Sequence, residues 1–175
     1  MTRKIVVDAR GARLGIGDRL SAGAGVQRAS NDTRSAYEIW DRRRSAGRLP
    51  RLDDIFPVQI GHLLACILVV EVLRGPPDYR YTFVGDMEAE ARGYDPTGKT
   101  VREVFADEPE VLEFCLGNYV AATSFADGFI DFSVDATPGD RYLETETLFL
   151  PCSDDGKTVT HIVVYSHYVE QPKKV

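Results

Sequence analysis

With 175 residues the chain has the length of one ordinary domain, enough to bury a single hydrophobic core without disulfide or metal staples. Hydrophobic residues at 43% and charged residues at 27% exclude collagen-like, mucin-like and wholly disordered chains. A net charge of −6 argues against non-specific attraction to nucleic acid or anionic lipid, although residues 1–30 carry six basic and two acidic side chains, so a basic stretch precedes an acidic domain.

Residues 8–30 are rich in Gly, Ala and Arg and show no sustained period, so residues 1–30 read as a flexible basic N-terminal arm in which only Ile5-Val6-Val7 can pair as a short strand. From Asn31 or Asp32 the spacing of Ala36, Tyr37, Ile39 and Trp40 predicts a helix with one apolar face, stopped by Gly47 and Pro50. That face is expected to be buried by its own chain or by a second copy, which makes Tyr37, Ile39 and Trp40 the candidate dimer-helix residues of segment 31–50. An irregular or helical stretch over 52–64 leads into a strand at 65–73. The turn Gly75-Pro76-Pro77-Asp78 then joins it to a second strand at 79–84.

Helical patterns follow at 86–92, near 101–105 and at 108–122, where Glu110 suits the positive end of the helix dipole. Three strands complete the domain, at 128–135, 141–151 and 159–169. In the first of them Ile130, Phe132 and Val134 alternate with Asp131, Ser133 and Asp135, the pattern of a half-solvated strand. The expected fold is α+β: a five-stranded antiparallel sheet, short helices inserted between its second and third strands, and an N-terminal helix free to cap the other face. Residues 51–170 form this domain and 171–175 a tail.

The element order resembles a PAS domain, and the likeness extends to motifs. Tyr37-Glu38-Ile39-Trp40, Gly47-Arg48-Leu49-Pro50, Asp53-Asp54-Ile55, Ile60 through Leu64 and Ile67 through Glu71 resemble the opening of a single-domain bacterial PAS family common in alphaproteobacteria. Further on, Pro77-Asp78-Tyr79-Arg80-Tyr81, Phe83-Val84-Gly85, Asp95-Pro96-Thr97-Gly98-Lys99, Leu148-Phe149-Leu150-Pro151 and Ser153-Asp154-Asp155-Gly156 continue the pattern in order. The resemblance implies sensing or regulated association, through a small ligand held between sheet and helices or through dimerisation by the N-terminal helix. No kinase, cyclase or DNA-binding module follows residue 169, so output is expected from a separate partner.

Several motifs invite chemistry. Gly93 through Thr100 satisfies G-x-x-x-x-G-K-[ST], the phosphate-cradling loop, but that mechanism needs a buried strand entering and a substantial helix leaving. Here an acidic helical stretch enters and about two turns leave, so nucleotide binding is not supported. His161 and His167 share a strand face but are about 20 Å apart, too far to share a metal with each other. The resemblance offers no haem, since no histidine lies between 86 and 122. It offers no flavin either, since Cys115 lies in Glu113-Phe114-Cys115-Leu116-Gly117 instead of a photosensor motif.

Tyr79, Tyr81 and Phe83 alternate on one side of their strand. By the resemblance that side, with Ile162, Val164 and Ser166, faces the inserted helices. The ligand-pocket candidates are therefore Tyr81, Phe83, Cys115, Tyr119, Glu146, Ile162, Val164 and Ser166. Glu146 orients a polar ligand if it points inward.

Three cysteines without a CxxC pair and an apolar run of only eight residues at 63–70 indicate a cytoplasmic chain without a membrane span. The expected function is a non-catalytic sensory or regulatory domain. It acts as a homodimer, with a small ligand, a separate signalling partner or both, and engages neither nucleic acid nor membrane. The alternatives are a ligand-free dimeric interaction adaptor and a small α+β hydrolase or isomerase with a cone-shaped pocket.

Overall fold

The computed structural model describes residues 5–7, 13–15, 18–75, 77–137 and 141–171. In chain order the strands are β1 (Ile5–Val7), β2 (Arg13–Gly15), β3 (Asp18–Ser21), β4 (Ile67–Arg74), β5 (Pro77–Val84), β6 (Phe129–Thr137), β7 (Arg141–Cys152) and β8 (His161–Gln171). The helices are α1 (Ala22–Gly25), α2 (Asn31–Asp41), α3 (Asp86–Arg92), α4 (Val101–Val104) and α5 (Pro109–Ser124), with 3-10 turns at Leu52–Asp54 and Gly61–Cys66. Ile5–Val7 does pair, antiparallel to Arg13–Gly15.

The main sheet is antiparallel with the order β3-β6-β7-β8-β4-β5. The five expected strands are present in it, and a sixth corrects the sequence reading. Residues 18–21, expected within a flexible arm, pair with the edge strand β6, and Ala22, Val26 and Ala29 beyond them are buried. The rest of the expected arm, at 1–4, 8–12 and 16–17, and the tail at 172–175 lie outside the described residues.

Directly paired residues of an antiparallel sheet project from the same face, so the register sorts the side chains. Phe129, Phe149, Val164, Leu68 and Val84 form one row across the sheet, and Ile130, Leu148, Tyr165 and Ile67 form a row on the opposite face. The first is the helical face, because the Tyr119 ring of α5 lies 6.3 Å from Phe149 and 5.0 Å from Tyr79.

The second face is covered by α2, which packs across β7 and β8. Its cap is Ser30, whose hydroxyl accepts from the Thr33 N–H, one residue before the expected Asn31. Trp40 is fully buried there and its indole N–H donates to the Pro151 carbonyl at 2.8 Å. The apolar face of α2 is thus closed within the chain. Ala36 and Trp40 are fully buried, and Tyr37 and Ile39 are half-buried against the same core. Of the two covers left open for Trp40, its own chain or a second copy, its own chain supplies one.

Two further expectations change at the level of side-chain parity. The β4–β5 register shifts so that Val69 pairs with Phe83 and Val70 with Tyr81, leaving Thr82 as the extra residue of a bulge. Phe83 therefore leaves the side of Tyr79 and Tyr81 and packs edge-on against Phe56, ring centroids 5.0 Å apart, on the outer face. Glu146 also lies on the outer face. Its carboxylate accepts from the Ser30 N–H at 3.0 Å and from the Thr33 hydroxyl at 2.5 Å, which ties the start of α2 to the middle of β7. Asp131, expected on the solvated side of its strand, is buried on the helical face.

Glu146→Ala leaves the half-buried Ser30 N–H and the buried Thr33 hydroxyl without their acceptor, and the unfolding free energy should fall by about 1–3 kcal/mol. Urea denaturation followed by the fluorescence of Trp40, the single tryptophan, measures it. A midpoint equal to the parent's would show that the tether contributes nothing.

Candidate functional site

Helix α3 begins at Gly85, whose N–H donates to the Ile67 carbonyl at 2.8 Å. A Cβ there would run into the carbonyls of Leu64 and Ala65, so only glycine lets α3 start this close to the sheet. The i, i+4 spacing then places Glu88 and Arg92 on one side of the helix. Gly93, at φ 79°, ends α3 in the left-handed conformation.

Glu88 is 1% exposed. Arg92 Nη1 donates to Glu88 Oε2 at 2.6 Å and to the Glu88 carbonyl at 2.9 Å, while the Tyr168 hydroxyl donates to Glu88 Oε1 at 2.8 Å. Both carboxylate oxygens are thereby engaged. The Tyr168 phenol also interacts with the Ser166 hydroxyl, two residues earlier on the same face of β8. Burial and then the Glu88 charge raise the Tyr168 phenol well above its ordinary value. Burial alone would make Arg92 easier to deprotonate, but the charge and hydrogen bond of Glu88 together with the Tyr81 and Tyr119 phenols outweigh it and hold the guanidinium protonated.

A second pair of phenols adjoins this ion pair. The hydroxyls of Tyr119 on α5 and Tyr81 on β5 are hydrogen-bond partners, and both phenols are raised chiefly by burial. Cys115 lies one turn earlier on α5. Burial pushes its thiol up to about 12, with Arg92 pulling the other way, and the same guanidinium also opposes the shifts of Tyr81, Tyr119 and Tyr168. Arg92 is therefore the one charge that acts on every member of the cluster.

Of the residues singled out from the sequence, Tyr81, Cys115 and Tyr119 come together around Arg92, and Ser166 joins them through Tyr168. Ile162 and Val164 fill the helical face beside them and are fully or nearly fully buried. Phe83 and Glu146 are across the sheet. Glu88, Arg92 and Tyr168 were missed. The available signal was the i, i+4 Glu–Arg pair within 86–92, together with the period of two from Ser166 to Tyr168.

The other motifs are engaged in local contacts. The amides of the Gly93–Thr100 loop are engaged: Gly98 N–H donates to the Tyr81 carbonyl, Thr97 N–H to Asp95, and Thr100 N–H to Glu103. Its exit helix, α4, spans only four residues. His161 contacts Thr160, and His167 contacts Tyr165 at 3.4 Å. Among the described residues no three His, Cys, Asp or Glu side chains are grouped to hold a metal. Cys66, Cys115 and Cys152 are free thiols.

Several buried groups must stay protonated in the fold and can ionise on unfolding. Because the folded pKa values of Tyr81, Tyr119, Tyr165, Tyr168, Cys115 and Cys152 are raised, their stabilisation is complete below the ordinary values of 9.0 and 10.0 and is lost above them. The melting temperature should fall continuously from pH 9 to pH 11. Circular dichroism melts should show a shallower fall for Cys115→Ala than for the parent; identical slopes would place the titrating groups elsewhere.

A family model for the PAS domain matches residues 28–164, most of the chain. No curated protein matches the sequence. Among solved structures, one described as an RNA-binding Light-Oxygen-Voltage receptor is similar at 15% identity with a TM-score of 0.41. The alignment covers 71% of this chain and 35% of that one, so this chain spans about a third of that protein's length. No helix among the described residues is long and apolar enough to cross a membrane. With its α+β sheet order and a family match running from the end of the N-terminal segment into β8, the chain belongs to the PAS domain family.

Proposed function

We propose that this PAS sensory or regulatory domain detects a small polar ligand at the Glu88–Arg92–Tyr168 cluster. One observation carries the reading: an ionised pair and two linked phenols lie between sheet and helices, where apolar side chains would fill the space at lower desolvation cost. Their geometry suits exchange. A ligand carboxylate can take the place of Glu88 on Arg92, and a ligand donor can take the place of the Tyr168 hydroxyl on Glu88. Either exchange frees α3 to move relative to the sheet, provided that the ligand binds the moved arrangement better than the resting one.

A second reading, the ligand-free dimeric interaction adaptor, is favoured by a different observation. Among the described residues every buried side-chain nitrogen and oxygen already has a partner, so the cluster is complete without a guest. In that case the half-exposed Tyr37 and Ile39, not Trp40, remain for a homodimer, and a separate signalling partner supplies the output. The enzyme reading has less support, since Glu88, the buried carboxylate nearest the phenols, is engaged at both oxygens. The free thiols are those expected of a reducing compartment, which supports a cytoplasmic location.

Native mass spectrometry of the protein purified from its own host separates the two leading readings. Sensing predicts a small-molecule adduct on the parent that is reduced in Glu88→Gln, with Tyr119→Phe as the milder variant if the first fails to fold. A dimer without an adduct supports the adaptor. A monomer without one overturns both.

A further inference from the structure

Residues 19–33 connect the two faces of the sheet by running round its β6 edge. On the helical face Arg19 makes a forked contact with buried Asp131, Nε to Oδ1 and Nη2 to Oδ2, both at 2.7 Å. The same Nη2 donates to Asn118 Oδ1 at 2.6 Å, and the guanidinium lies 4.3 Å from the centre of the Phe129 ring. Asn118 belongs to α5 and immediately precedes Tyr119 of the interior cluster.

The chain then turns the edge. The Ala22 N–H donates to the Gly128 carbonyl at 3.2 Å, and Gly25 lies so close to Ile130 that a Cβ would collide with its methyl group. On the outer face Arg28 covers the Phe132 ring at 5.0 Å, and Ser30 N–H and Thr33 Oγ1 end the run on Glu146 at the start of α2.

We propose that this segment is a strap through which α5 controls the anchoring of α2, so that a change in the interior cluster is felt on the opposite face of the sheet. The proposal rests on reading that cluster as the input. A forked guanidinium–carboxylate contact tolerates little displacement, because charge-assisted hydrogen bonds near 2.7 Å weaken steeply as distance and angle depart from the optimum. When Asn118 moves with α5, Arg19 must follow it or stay with Asp131. Following it pulls β3 from β6, and the packed turn at Gly25 delivers the strain to the Ser30–Glu146 tether. Staying breaks the Asn118 contact and leaves α2 undisturbed. The strap therefore has two discrete arrangements, which is what coupling between distant sites requires.

Hydrogen exchange of the α2 amides, with no ligand added, tests this on the full chain. Tyr119→Phe removes the hydroxyl through which α5 contacts Tyr81, and α2 exchange should accelerate about threefold or more. In an Asn118→Ala background, which cuts the strap from α5, the same substitution should leave α2 exchange at that background's own rate. Arg19→Gln should block transmission in the same way and serves as an independent cut if one variant fails to fold. Equal acceleration in cut and uncut backgrounds, or none in either, overturns the strap. Because the perturbation is a side-chain deletion, failure to find a retained ligand by mass spectrometry overturns the sensing reading and leaves this result standing.

Discussion

A sheet that is apolar on both faces must be kept from water on both. Ile67 through Val70 and Ile162 through Tyr165 are buried one after another, so these stretches of β4 and β8 have no face to give to solvent. The chain meets this constraint from opposite directions, with α2 arriving before the five strands β4 to β8 and α3 to α5 inserted among them. Apolar contact alone would let these covers slide, because it is non-directional. Each is held by a directional bond: Trp40 to the Pro151 carbonyl and Ser30 to Glu146 outside, Gly85 to the Ile67 carbonyl and Tyr168 to Glu88 inside.

The polar groups that supply this direction are costly to bury, and they are disposed differently on the two faces. Outside, one carboxylate caps a helix end, where unpaired backbone donors already need an acceptor. Inside, a charge pair is linked to one phenol and neighboured by a pair of phenols. Removing one partner of such a buried pair typically costs about 3–5 kcal/mol, whereas apolar replacement of both is often neutral. The interior pair is thus no requirement of stability, and that makes it the natural place to seek the signal. The fold itself carries no such assignment, since related architectures serve many functions.

The N-terminal segment adds something the five-stranded core lacks. By pairing β3 with the open edge of β6 it protects a strand edge and also links α5 on one face to α2 on the other. Arginines stacked on Phe129 and Phe132 grip that edge from both sides.

Much of this was legible in the sequence. The five strands, the inserted helices and the apolar face of α2 follow from local periodicity, and periodicity is set by backbone geometry that each segment carries by itself. The PAS resemblance rested on motifs spread through those same elements. What local pattern could not give is which side of an element meets which neighbour. A single extra residue, Thr82, reverses the parity of Phe83, and nothing between 79 and 84 announces it. Glu146 shares its side with Leu148 and Leu150 as alternation requires, yet only the arrival of Ser30 and Thr33 shows that this side lies beneath α2. Residues 18–21 are a strand because Asp131, 112 positions away from Arg19, offers an edge and a countercharge. The sequence by itself determined the elements and their order; tertiary structure decided the faces, the sixth strand and the Glu88–Arg92–Tyr168 cluster, because these depend on contacts between residues that no local window contains together.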